Sequence, residues 1–180
     1  MKKLLSLLIS TLLISGCMSP TKVSAPGEVT SCDQIRLLED ADKSTVMQCL
    51  DGLGEIDFHQ LKGPLLINVW GSWCEGCKQE MPYFVELYQN PLFKNGQIQM
   101  LGVNVEEKSK NDAIEYIQKS GMSWPNLEDS SGISKSIFGP GVPVTWFIDE
   151  NGKNIETKIG AYTNKQQLFN QVEKAFGVKL

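Results

Sequence analysis

Two cysteines separated by two residues, in the run Trp73-Cys74-Glu75-Gly76-Cys77, are the residues of this sequence best suited to chemistry. The run follows an apolar stretch, Leu65 to Trp70, broken only by Asn68 and bounded by Gly63-Pro64 and Gly71, which reads as a buried strand. It opens a segment with helical spacing from Glu75 to about Gln89, kinked or restarted at Pro82. A thiol at a helix start meets unpaired backbone N–H groups and the positive end of the helix dipole, and both favour the thiolate. Two intervening residues bring the second thiol within one turn, where it can resolve a mixed disulfide formed at the first. Cys74 is expected to be the exposed nucleophile and Cys77 the shielded resolving thiol. Half of a zinc site is the competing reading. It needs a second pair of ligands, and the sequence offers no further motif of this spacing and one histidine, His59, expected at the surface or a strand edge. No metal and no bound cofactor are expected.

Glu80 lies three residues after Cys77, on the same helix face. A carboxylate there can take the Cys77 proton, directly or through water, as that thiol attacks the mixed disulfide. The competing reading is an exposed helix glutamate. Glu75 is expected to face solvent, favouring the helix start while opposing a thiolate at Cys74. Trp73 is expected at the rim of the dithiol site, as part of the substrate-binding surface; Trp70, Trp124 and Trp146 fit the core.

The net charge of −4 and the scatter of basic residues beyond Lys2 and Lys3 give no electrostatic case for nucleic acid. Lys2 and Lys3 precede an apolar run, Leu4 to Ile14, too short to span a bilayer comfortably, so residues 1–16 read as a signal peptide. Leu13-Ile14-Ser15-Gly16-Cys17 resembles the lipobox of bacterial lipoproteins, in which the cysteine is diacylated and becomes the mature amino terminus. That resemblance implies lipidation of Cys17 and an anchor in the lipid bilayer, on the extracytoplasmic side of the bacterial cell membrane or, in a two-membrane host, the outer membrane. A plain secretory signal with an incidental cysteine is the alternative. Five cysteines leave one over; assigning Cys17 to lipid leaves Cys74/Cys77 and Cys32/Cys49. An exported chain meets an oxidising compartment, where Cys32–Cys49 can persist as a structural disulfide. A second redox pair that relays electrons is the rival role.

Residues 17–30 are polar and rich in breakers and read as a linker from lipid to domain; residues 31–180 form the domain, with an N-terminal extension over about 31–60. Asp33 to Ala41 fits a short helix, Val46 to Leu50 a strand, and Ile56 to Phe58 another beyond the Asp51-Gly52 turn. Ile98 to Val105 is a second buried strand, Lys110 to Lys119 a helix ending at Gly121, and Ser130 to Phe138 a short helix. Val144 to Ile148 and Asn154 to Ile159 pair as a hairpin, and Lys165 to Phe176 closes with a helix. This order predicts an α/β domain with one central mixed β-sheet flanked by helices.

The segment Leu66 to Pro82, and the block Gly141-Val142-Pro143-Val144-Thr145-Trp146-Phe147-Ile148-Asp149 followed by Asn151-Gly152, resemble the thioredoxin superfamily. The likeness is to its TlpA/ResA-like branch of membrane-tethered extracytoplasmic reductases, and it covers roughly Cys49 to Leu180. It implies a thioredoxin-like fold, Pro143 as a cis-proline facing the dithiol, and a Val142 backbone open to substrate. Gly76 departs from the proline common in this branch. The resemblance further implies reduction of exported cysteine-containing proteins, including apocytochrome c thiols before haem attachment. Electrons would come from a membrane dithiol donor, and the chain would act as a monomer. A disulfide-forming oxidase on the same fold and a non-catalytic binding lipoprotein are the alternatives. A thiol peroxidase would need an arginine partner, and Arg36, the one arginine, is expected outside the core domain.

Overall fold

The computed structural model describes residues 27–39 and 45–180. The signal peptide of residues 1–16, the lipidation at Cys17 and the linker up to residue 26 lie outside the described residues.

At the centre is β3 (Leu65–Trp70), whose six residues are all buried. A continuous apolar run suits a strand covered on both faces. Parallel β4 (Gln99–Val105) lies on one side, in register from Leu65 opposite Gln99 to Trp70 opposite Asn104, and antiparallel β6 (Val144–Ile148) on the other. Beyond β4 come β5 (Asn126–Asp129), then β1 (Val46–Cys49) and β2 (Glu55–Asp57); beyond β6 comes β7 (Asn154–Ile159). The seven-stranded order is β2-β1-β5-β4-β3-β6-β7, mixed in direction as expected.

The pleat sends Leu66, Asn68 and Trp70 to one face of β3 and Leu65, Ile67 and Val69 to the other. On the first face, α1 (Glu75–Tyr88), α3 (Lys110–Ser120) and α5 (Lys165–Phe176) bury Phe84, Ile117 and Leu168 against Trp70 and Phe147. On the second, Ile35, Leu61 and Phe138 of the short α4 (Ser134–Phe138) cover Ile67, Val103 and Val144. Helix α1 runs through Pro82 without restarting, because Cys77, Met81, Phe84 and Leu87 give it a buried face on both sides of the proline.

Several expectations are corrected. The segment from Asp33 forms no helix among the described residues; Leu37 bridges Leu61, and Leu38 N–H donates to Gln60 O at 2.6 Å. Apolar residues at 35, 37 and 38 served an edge pairing as well as they would have served a helical stripe. Strand β5 had no sequence signal, since Asn126-Leu127-Glu128-Asp129 holds one apolar residue. It forms because Leu127 fits between Val103 and Cys49 of its neighbours. A single helical turn, α2 (Pro91–Lys94), also escaped the reading. Just before residue 31, Gly27 N–H donates to Gln118 O at 3.0 Å, and Glu28 N–H to Met122 O at 2.9 Å. Arg36, in the N-terminal extension, docks beside the starts of β3 and β4, donating to Gln99 Oε1, Pro64 O and Gln97 O.

Gly102 shows why one position on β4 tolerates no side chain. A Cβ there would stand 1.7 Å from Asn126 Oδ1 and 2.9 Å from Trp70 Nε1, two atoms joined by a buried 2.9 Å hydrogen bond. Cys32 and Cys49 are bonded across 17 residues with Cα atoms 6.2 Å apart, tying the entering chain to β1. In the chain-entropy picture such a loop stabilises the fold by about 3 kcal/mol.

Candidate active site

The dithiol sits where β3 runs out and α1 begins. Cys74 and Cys77 are joined as a disulfide, with Cα atoms 5.3 Å apart. Cys74 is the N-cap of α1, and its Sγ accepts the Cys77 N–H at 3.1 Å. That N–H is one of the helix's unpartnered donors, so charge developing on Cys74 sulfur is met by a fixed dipole. Cys74 is buried rather than exposed, keeping 5% of its surface, while Cys77 keeps none, so the nucleophile retains a small advantage in access. Trp73 is 48% exposed beside them, its Nε1–H held by Val105 O at 3.1 Å. Glu75 faces solvent.

Opposite the dithiol, the Val142–Pro143 peptide is cis. Pro143 O accepts Gly160 N–H at 2.9 Å, while half-buried Val142 precedes β6. A Cβ placed on Gly76 would stand 3.4 Å from Pro143 Cδ and 3.5 Å from the Ala161 Cβ. The helix start, the proline loop and the loop after β7 therefore converge on one spot.

Glu80 is wholly buried on α1, which removes the reading of an exposed helix glutamate. Its Oε1 accepts Asn68 Nδ2–H at 3.1 Å and its Oε2 accepts Tyr162 N–H at 2.9 Å. Burial pushes its carboxyl up to about 7, against the lowering effects of Tyr162 N–H, Asn68 and the charge of Lys158. A group poised there gives and takes a proton readily at neutral pH.

The chain matches the AhpC/TSA family over residues 40–156. It is 30% identical over 169 residues to the thiol-disulfide oxidoreductase ResA of Bacillus thuringiensis, covering 91% of this chain and 92% of that one. To ResA of Geobacillus thermodenitrificans it is 33% identical over 102 residues, 56% of this chain and 57% of that protein. The chain belongs to the AhpC/TSA family. It is a thiol–disulfide oxidoreductase. Its fold is thioredoxin-like, as in StoA from Bacillus subtilis (TM-score 0.57, 23% identity, covering 72% of this chain and 96% of that one). A secreted Mycobacterium tuberculosis disulfide oxidoreductase gives a TM-score of 0.62 at 19% identity, covering 72% and 94%.

Within this AhpC/TSA-family site, Cys74, Cys77, Glu80, Trp73, Val142 and Pro143 come together, whereas Cys32–Cys49 ties the N-terminal segment to β1 and β5 and Arg36 lies at the opposite pole, by the starts of β3 and β4. The sequence reading missed four contributors. Asn68 left a trace as the one polar interruption in the β3 run; Tyr162, Glu107 and Lys158 left none. Glu107 accepts Ser72 N–H at 2.6 Å, Ser72 Oγ–H at 2.7 Å and Asn104 Nδ2–H at 2.8 Å, clamping the loop that carries Trp73 and Cys74. Glu107→Ala is expected to lower kcat/KM for disulfide exchange about tenfold by releasing that loop, with Glu107→Gln in between. Stopped-flow exchange with Trp73 emission as a second channel measures it. Unchanged rate and emission in Glu107→Ala would remove the clamp from the account.

Proposed function

We propose that the protein is a lipid-anchored, extracytoplasmic disulfide reductase for exported cysteine-containing proteins, apocytochrome c among them, recharged by a membrane dithiol donor. The observation that carries the exchange chemistry is a buried carboxylate one helical turn from the resolving thiol; the reducing direction is taken from the resemblance and is what the potential below tests. The Cys74 thiolate attacks a substrate disulfide, forming a mixed disulfide and releasing one substrate thiolate. Cys77 then passes its proton towards Glu80 and attacks Cys74 sulfur, closing the Cys74–Cys77 bond and releasing the second substrate thiolate. Two electrons leave the dithiol and two enter the substrate. Trp73 and the Val142–Pro143 edge are the surfaces that receive the substrate segment, with the Val142 backbone pairing to it as an added strand does. Export follows from the lipobox-like run at Cys17, and the Cys32–Cys49 bond serves as a staple outside the exchange.

One preparation from membranes tests the reading. The mature amino terminus is expected to have the mass of acylated Cys17, and the Cys74–Cys77 couple a potential below about −200 mV, the reducing side of the thioredoxin-fold range. In the same dithiothreitol titration Cys74–Cys77 opens before Cys32–Cys49. A potential near −120 mV, where strong oxidants lie, would favour the oxidase instead. An unmodified terminus would remove the anchor.

A further inference from the structure

Six lysines, Lys110, Lys119, Lys135, Lys165, Lys174 and Lys179, each pair with a carboxylate. Lys158 is placed differently. From β7 its Nζ donates to the carbonyls of Ile159 and Gly160, both at 2.8 Å, and stands 5.5 Å from the centre of the Tyr162 ring. These carbonyls belong to the bend that carries the chain from the sheet edge into the active site. Gly160, with φ +81°, makes the turn that a side chain would resist. Its N–H donates to Pro143 O, Ala161 lies over Gly76, and Tyr162 N–H reaches Glu80 Oε2. One bend thus touches the proline loop, the helix start and the buried carboxylate, and Lys158 grips it by two consecutive carbonyls.

We propose that Lys158 is a positioning residue for thiol–disulfide exchange, fixing the bend that delivers Tyr162 N–H to Glu80 and supplying the cation that offsets the charge of that buried carboxylate. The inference rests on the proton-acceptor role of Glu80 for its consequence, though not for its geometry. The groups around Glu80 are Cys77 on its own helix, Asn68 on β3, Tyr116 on α3, Tyr162 after β7, and Lys158. Tyr116 is pushed up to about 12 by burial and then by Glu80 and Glu75, and Tyr162 is raised by burial and then by Glu80, so both phenols stay neutral at working pH. Of these groups Lys158 alone is positive. Removing its charge leaves burial less opposed, and the carboxyl holds its proton to higher pH.

The test is a carbon-detected NMR titration of the Glu80 side chain in the oxidised protein, where the disulfide keeps both cysteines out of the titration. Lys158→Met is expected to raise the Glu80 midpoint by about half a pH unit or more, roughly threefold in the protonated-to-ionised ratio. Its Tyr162 amide is expected to exchange with solvent faster, and Lys158→Arg to restore both readings towards wild type. Thermal melts verify that all three proteins are folded. An unmoved midpoint in Lys158→Met, or an arginine variant displaced as far as the methionine one, would overturn the proposal. The acceptor role of Glu80 fails by a separate readout, unchanged mixed-disulfide resolution in Glu80→Gln, and that result leaves the titration comparison standing.

Discussion

Cys77→Ser is expected to leave the enzyme covalently joined to its substrate through Cys74, with turnover reduced on the order of a thousandfold or more. The geometry assigns the two sulfurs different work. Cys74 caps α1 and keeps the small remaining access, so an incoming disulfide meets it first. Cys77 is wholly enclosed, and the sulfur within its reach is that of Cys74. With serine at 77 the first exchange proceeds and the second has no nucleophile. Cys74→Ser, by contrast, forms no adduct. Non-reducing gels of exported proteins recovered with each variant, followed by mass spectrometry of the bridged peptide, separate the outcomes. An adduct that accumulates in Cys74→Ser and is absent from Cys77→Ser would reverse the assignment.

Glu80→Gln is expected to slow resolution of that mixed disulfide by about 100-fold, the usual cost of losing a positioned proton acceptor. The substitution suits the site. Asn68 Oδ1 is buried without a hydrogen-bond partner, so turning the Asn68 amide over lets it accept from the new amide while Tyr162 N–H keeps an oxygen to donate to. Loss of rate therefore reports loss of the acid–base group rather than collapse of the pocket. The same variant carries a stability signature whose sign is fixed by the raised carboxyl. Glu80 holds its proton more tightly folded, at about 7, than at its ordinary value of 4.5, so the folded state binds more protons between those pH values. Stability from this group is full below pH 4.5 and is lost as pH rises through 7, by on the order of 3 kcal/mol. Glu80→Gln removes that slope, and urea melts of the oxidised protein from pH 4 to 8 are expected to be flatter than wild type. Equal resolution rates across this range, together with parallel melts, would return Glu80 to an ordinary buried residue.

What was legible in the sequence was local chemistry and period. Cys74 and Cys77 point to a dithiol by their spacing, with zinc left short of ligands by the single histidine and the lack of a second such pair, and the run Leu65 to Trp70, apolar but for Asn68, places it at a strand end. Glu80 followed from helical spacing, and Pro143 from the resemblance. One fault came from a signal that serves two structures equally: Ile35, Leu37 and Leu38 suit a helix stripe or an edge bridge, and only Leu61 beside them decides. Strand β5 shows the opposite case, a strand whose neighbours impose its conformation on a sequence without the pattern. The surroundings of the dithiol were decided by tertiary structure for the same reason. Glu80 meets Tyr162, 82 positions on, and Ser72 meets Glu107, 35 positions on. No period or motif links residues so far apart in sequence. Whether a carboxyl titrates near 4.5 or near 7 depends on the water removed from it and the dipoles aimed at it, and both are properties of the packed chain.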